Sequence, residues 1–74
     1  MSNSGFEEGC VYESRHISGD VFLVTRVMPI DNADCDDVHF VWLAADTPYI
    51  VDFLGHEHSF VPDRRSFELY KRVS

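Results

Sequence analysis

Asp20 to Met28 (DVFLVTRVM) is a nine-residue run without Gly or Pro, dominated by β-branched and aromatic side chains. That is the composition of a β-strand. Side chains alternate across a strand, so Val21, Leu23, Thr25 and Val27 share one face and Phe22, Val24, Arg26 and Met28 the other. Both faces are largely apolar. In a chain of 74 residues such a strand must lie centrally in a sheet or bend strongly, because nothing else is large enough to cover it. Pro29 ends the run, having no N–H to give to a ladder.

Shorter runs of the same kind surround it. Residues 1–8 carry little apolar pattern and read as a flexible N-terminal tail, leaving residues 9–74 as a single domain. Gly9 to Ser14 is a first strand, followed by a Ser18-Gly19-Asp20 turn typical of hairpins. Val38 to Ala45 (VHFVWLAA) is a third strand, Asp46-Thr47-Pro48 a turn, and Tyr49 to Leu54 (YIVDFL) a fourth strand. Gly55 permits a turn or bulge after it. Pro62 to Ser66 suits one helical or 3-10 turn, with Pro at its first position. Phe67 to Val73 (FELYKRV) then alternates as a last strand, a short helix being the competing reading. The pattern predicts an all-β fold: a small five-stranded barrel or roll with a single 3-10 turn before the last strand.

The order strand, Ser-Gly-Asp hairpin, Val-Phe-Leu-Val-Thr, then a closing Phe60-Val61-Pro62-Asp63-Arg64-Arg65-Ser66-Phe67 resembles the short SH3-like barrels of many phage and prophage proteins. In those folds a 3-10 turn commonly precedes the final strand, the place held here by Pro62 to Ser66. The resemblance covers residues 9–73 and implies a compact binding module rather than an enzyme. It assigns no functional residue.

Charge narrows the partners. From Met1 to Pro62 eleven acidic residues stand against two arginines, a net of −9; from Asp63 to Ser74 two acids stand against four bases, a net of +2. The body of the domain repels phosphate, so nucleic acid is not expected as a direct ligand. A protein with a basic surface is, including one that itself grips nucleic acid. No basic-then-apolar leader and no run near the ~20 apolar residues of a membrane span is present. The chain therefore reads as cytoplasmic, with Cys10 and Cys35 as reduced thiols.

Catalytic and metal motifs are weak. His56 and His58 flank Glu57, and on a strand they would share a face. A zinc site needs further ligands from His16, His39, Cys10 or Cys35, and no C-x2-C or H-x3-H spacing supplies them. Asp31, Asp34, Asp36 and Asp37 crowd one loop, but the central Gly and closing Glu of a calcium loop are missing. There is no nucleophile elbow and no phosphate-binding Gly loop. No enzyme activity and no cofactor are expected. Arg64, Arg65, Lys71 and Arg72 are read as paired with nearby acids such as Asp63 and Glu68.

Two features point to a partner instead. Clustered carboxylates on a projecting loop can clamp a basic surface, which singles out Asp31, Asp34, Asp36 and Asp37. Trp42 and Tyr49, with Phe40 and Phe53, form the kind of aromatic platform that peptide-binding grooves use, with core packing as the competing fate. The expected function is a small acidic protein-binding module, of the phage or mobile-element accessory kind, that inhibits or redirects a host or defence protein. The alternative is a structural module whose ten aromatic residues form a homodimer or higher seam.

Overall fold

The computed structural model describes residues 4–17, 19–31, 35–63 and 65–74. Five strands, β1 (Val11–Ser14), β2 (Val21–Pro29), β3 (Asp36–Ala44), β4 (Glu57–Phe60) and β5 (Tyr70–Arg72), form one sheet in the order β4-β3-β2-β1-β5. Every pairing is antiparallel. A one-turn helix α1 (Pro48–Val51) lies between β3 and β4, and a 3-10 helix (Ser66–Leu69) runs directly into β5. Among the described residues β4 and β5 are the two edges, so the sheet coils without closing.

The doubly apolar run is central, between β1 and β3, and it also bends. Its pairing with β3 shifts register between Val24, opposite Phe40, and Arg26, opposite His39. One residue too many, Thr25, is fitted there as a bulge. Beyond it the faces exchange. Val27, opposite Val38, joins Phe22 and Val24 against the core, whereas Met28 turns outward. Strict alternation therefore fails for the second half of the strand. The bulge frees the Val27 N–H, which donates to Glu8 Oε1 at 2.9 Å.

The core is Phe6, Tyr12, Phe22, Val24 and Val38, with Cys10 at its margin. Phe6 has no exposed surface. Its ring centroid lies 4.9 Å from that of Tyr12, 5.0 Å from Phe67 and 5.7 Å from Phe60, each edge-on. Residues 4–8 are thus not a flexible tail but a plug across one end of the coiled sheet. Ser4 N–H donates to Asp36 Oδ2 (3.1 Å) and Glu7 N–H to the Tyr12 hydroxyl (2.9 Å). Gly5 sits at φ +87°, and a Cβ there would lie 3.1 Å from the Phe67 ring. One aromatic residue in a polar stretch has no periodicity to betray it.

Two further expectations are corrected. Tyr49 to Leu54 is not a strand: Pro48 presets a helical φ, and Thr47 C=O accepts from the Ile50 and Val51 N–H groups (3.0 and 3.3 Å). The fourth strand comes later, at Glu57–Phe60. The 3-10 turn before the last strand is present but displaced to Ser66–Leu69, leaving β5 three residues long. Asp63 sets this displacement. Its Oδ1 accepts the Arg65 N–H (3.0 Å), the Ser66 N–H (2.8 Å) and the Ser66 hydroxyl (3.0 Å). The helix in turn takes Phe67 out of the strand and onto Phe6. Cys10 and Cys35 are both free thiols.

Phe6→Ala should cost about 3–5 kcal/mol through lost burial and the cavity it leaves, much of the stability a domain this size holds. Urea unfolding followed by circular dichroism measures this. A loss under about 1 kcal/mol would show that Phe6 is peripheral to the core.

Candidate functional site

The concave face of β3 presents Val38, Phe40 and Trp42 in succession. Val38 lies under the Phe6 plug and is fully buried. Phe40 and Trp42 lie toward the other end, which none of the described residues plugs. Phe22, opposite Trp42 in the ladder, supports both: its ring centroid is 5.2 Å from Phe40 and 5.4 Å from Trp42, edge-on in each case. Phe40 and Trp42 are themselves perpendicular at 5.5 Å. The rings hold one another in the edge-to-face geometry that aromatic quadrupoles favour.

Walls rise on both sides of this floor. From α1 and the turn after it come Tyr49, Ile50 and Phe53; from the opposite edge of the sheet comes Tyr70. Ile50 is buried and anchors its wall, while Tyr49 is 68% and Phe53 46% exposed. The result is an open groove of about 480 Å³. A smaller hollow of about 230 Å³ shares Phe40, Trp42 and Tyr70 with it and reaches down to Phe22 and Phe60.

Asp20 holds the groove in shape. It is 2% exposed, covered by the adjacent turn rather than sunk in the centre of the fold. Oδ1 accepts the Asp46 N–H (2.7 Å) and the Thr47 N–H (3.1 Å), and Oδ2 accepts the Thr47 hydroxyl (2.6 Å). These bonds fix the turn that launches α1. Burial alone would raise the Asp20 pKa, but the bonds from Thr47 and Asp46 outweigh it and hold the carboxyl below its ordinary 3.8. Gly19, at φ +101°, makes room: a Cβ there would fall within 2.5 Å of the Asp46 carboxylate. The Tyr70 hydroxyl is pushed above its ordinary value by burial, and further by Tyr49 and by the Asp20 charge.

His58 completes the lining. Its ring lies 5.2 Å from Phe53, edge-on, and 5.9 Å from Phe40. Its Nε2 is buried and has no hydrogen-bond partner among the described residues. His56 is exposed and precedes β4, so the two histidines do not share a strand face. No group of three or more His, Cys, Asp or Glu among the described residues is placed to hold a metal ion.

The sequence-predicted residues divide. Trp42 and Tyr49 meet in the groove, together with Phe40 and Phe53. The three described aspartates, Asp31, Asp36 and Asp37, do not form one projecting cluster. Asp31 is exposed at the β2–β3 turn, and Asp34 lies outside the described residues. Asp36 is 2% exposed and bonded to the Ser4 backbone, because it opens β3 beneath the N-terminal plug. Asp37 is half-buried, its Oδ2 3.3 Å from His39 Nε2. Of the basic residues, Lys71 pairs with Glu13 (3.3 Å) and Arg72 with Glu7 (3.5 Å), while Arg64 lies outside the described residues. Tyr12 is buried under Phe6. Asp20, His58 and Tyr70 were missed as site residues, since only the coil of the sheet brings them together.

A larger hollow of about 650 Å³ opens beside the plug, along Gly5, Glu7, Glu8 and Asp36. Its carboxylates are already engaged: Glu7 with Arg72, Glu8 with the Val27 N–H and Asp36 with the Ser4 N–H. The aromatic groove is the better candidate. No protein-family model, curated protein or solved structure matches this chain.

Asp20→Ala should destabilise the domain by about 1–2 kcal/mol, because part-buried donors of Asp46 and Thr47 lose a charged acceptor. The pH dependence has a defined sign. A depressed folded pKa contributes stability that is fully present above the unfolded value of 3.8 and disappears as pH falls through the folded one. Thermal unfolding from about pH 5 to about pH 2 should show wild type losing more stability than Asp20→Asn. Parallel curves for the two would remove Asp20 from the acid transition.

Proposed function

We propose that this chain is a small acidic protein-binding module that takes hold of a basic partner through the groove of Trp42, Tyr49, Phe53 and Tyr70. One observation carries the reading: a domain of net charge −7 leaves aromatic side chains exposed around a groove that the described residues do not fill. Aromatic rings of this kind, half-buried at the base and free at the rim, anchor protein interfaces. The finer reading of the fold as an SH3-like barrel or roll, of the kind found in phage and prophage proteins, draws support from the five-stranded antiparallel coil and from the 3-10 helix running into β5. With that fold and charge, the module inhibits or redirects a host or defence protein whose basic surface it covers. The groove replaces the aspartate loop as the centre of contact, and the acidic surface steers the approach.

A second reading rests on the convex face. Val11, Leu23 and Val41 are ladder partners in one row there, and Leu43 beyond them is 51% exposed. A self-associating module would join copies along this row.

Capture from a lysate of cells carrying the gene separates the readings. Immobilised wild type should retain a basic protein at low salt and release it as salt screens the charges. Tyr49→Ala/Phe53→Ala, which changes exposed side chains and should leave the circular dichroism unaltered, should not retain it. Equal retention by both forms would reject the groove. Light scattering that shows a concentration-dependent dimer in wild type and a monomer in Leu43→Glu would favour the second reading.

A further inference from the structure

We propose that the groove receives an arginine side chain of the partner, its guanidinium lying on the faces of Trp42 and Tyr49 within the field of the Asp20 carboxylate. This inference rests on the protein-binding reading above and specifies its chemistry. The described lining residues include one carboxylate, Asp20, and neither Lys nor Arg. The other lining side chains are mostly aromatic rings or hydroxyls. The carboxylate is negative by its charge, exposed ring faces by their quadrupoles and the phenol oxygens by their lone pairs, while Ile17 and Ile50 add neutral apolar surface.

Asp20 is a fixed anion. Its charge is held by the Thr47 and Asp46 donors, and no Lys or Arg is among the described lining residues; Arg15, beside the groove, is turned to the Tyr70 carbonyl (3.2 Å). The rest of the domain adds to that field. The two cations of β5, Lys71 and Arg72, are taken by Glu13 and Glu7. An anionic ligand is repelled, and a neutral apolar one leaves the field unused. A cation answers both the rings and the charge.

Arginine fits better than lysine. Its planar guanidinium stacks on an aromatic face while its edge still donates hydrogen bonds, whereas an ammonium ion is compact and strongly hydrated. The rim hydroxyls of Tyr49 and Ser59 are acceptors for those donors. Arginine is also abundant on basic surfaces that grip nucleic acid, the partner class that the charge of this domain favours.

The chain has a single tryptophan, Trp42, so indole fluorescence and the indole N–H resonance report on the groove directly. The probe is a short Gly/Ser peptide carrying one arginine. Its control carries citrulline, which has nearly the same shape without the charge. The arginine peptide should perturb Trp42 saturably, and citrulline should bind at least about tenfold more weakly. Tyr49→Leu keeps an apolar exposed side chain but removes a ring face, and should weaken arginine binding several-fold with an unchanged fold. Equal affinity for the two peptides, or no saturable perturbation by arginine, overturns the inference. If capture of a protein still depends on Tyr49 and Phe53 in that case, the protein-binding reading survives and only the arginine is wrong.

Discussion

The packing of Phe6 against the inner face of the sheet is the contact on which this structure depends. A five-stranded sheet needs a second layer, and neither α1 nor the 3-10 helix is long enough to supply one. The sheet meets the requirement by coiling around its own aromatic side chains, and Phe6 fills the end that the coil leaves open. Its ring meets Tyr12 from β1, Phe22 from β2, Phe60 from β4 and Tyr70 from β5, together with Phe67 from the 3-10 helix. One side chain from outside the sheet thereby ties its two edges to its centre. The same arrangement explains the asymmetry of the molecule. Among the described residues Phe6 closes one end of the aromatic column, and the other end opens as the groove.

Polar groups then fix the backbone where the aromatic column cannot. At the plugged end, Glu8 takes the N–H that the Thr25 bulge releases, and Asp36 takes the N–H of Ser4. At the open end, Asp20 fastens the turn leading into α1. Asp63 does the same for the 3-10 helix. Asp36 and Asp20 answer buried and part-buried backbone donors, where an unmet donor costs on the order of 1–3 kcal/mol, whereas the donors met by Glu8 and Asp63 are open to water and those bonds are worth less. Much of the acidity of the chain is therefore structural. This is why Asp31, Asp36 and Asp37 do not project together. Asp36 and Asp37 belong to β3, one bonded beneath the plug and the other beside His39.

How much of this was legible follows from what each residue does locally. The β2 run could be read because β-branched composition is a local property, and its central place followed from having two apolar faces. The bulge could not, since nothing in Thr25 itself marks a register shift that depends on β3. The 3-10 turn before the last strand was visible from Pro62 and Asp63, but its extent was not, because Phe67 alternates well enough for a strand until Phe6 claims it. Tyr49 to Leu54 has strand composition and becomes helical because Pro48 and the distant Asp20 set the turn before it. Trp42 and Tyr49 could be named from their chemistry. Asp20, His58 and Tyr70 could not, because their meeting is a property of the coil.

The open groove is not explained as an unfinished core. Its floor is built: Phe22, Phe40 and Trp42 interlock edge-on around a hollow of about 230 Å³, Ile50 is buried, and Asp20 is held by three hydrogen bonds. What is left over is the rim, where Tyr49 and Phe53 expose half or more of their surface or nearly so, at 68% and 46%. Side chains that open to water contribute little to folding, and selection for stability alone would favour polar residues there or a larger side chain to close the gap. A rigid apolar floor with an adaptable aromatic rim is the form that binding surfaces take, because the floor loses no entropy when a ligand arrives and the rings lose little. Charge gives the groove its direction. The carboxylate in the described lining, Asp20, is held by three hydrogen bonds rather than by a cation, so its charge shapes the field of the groove.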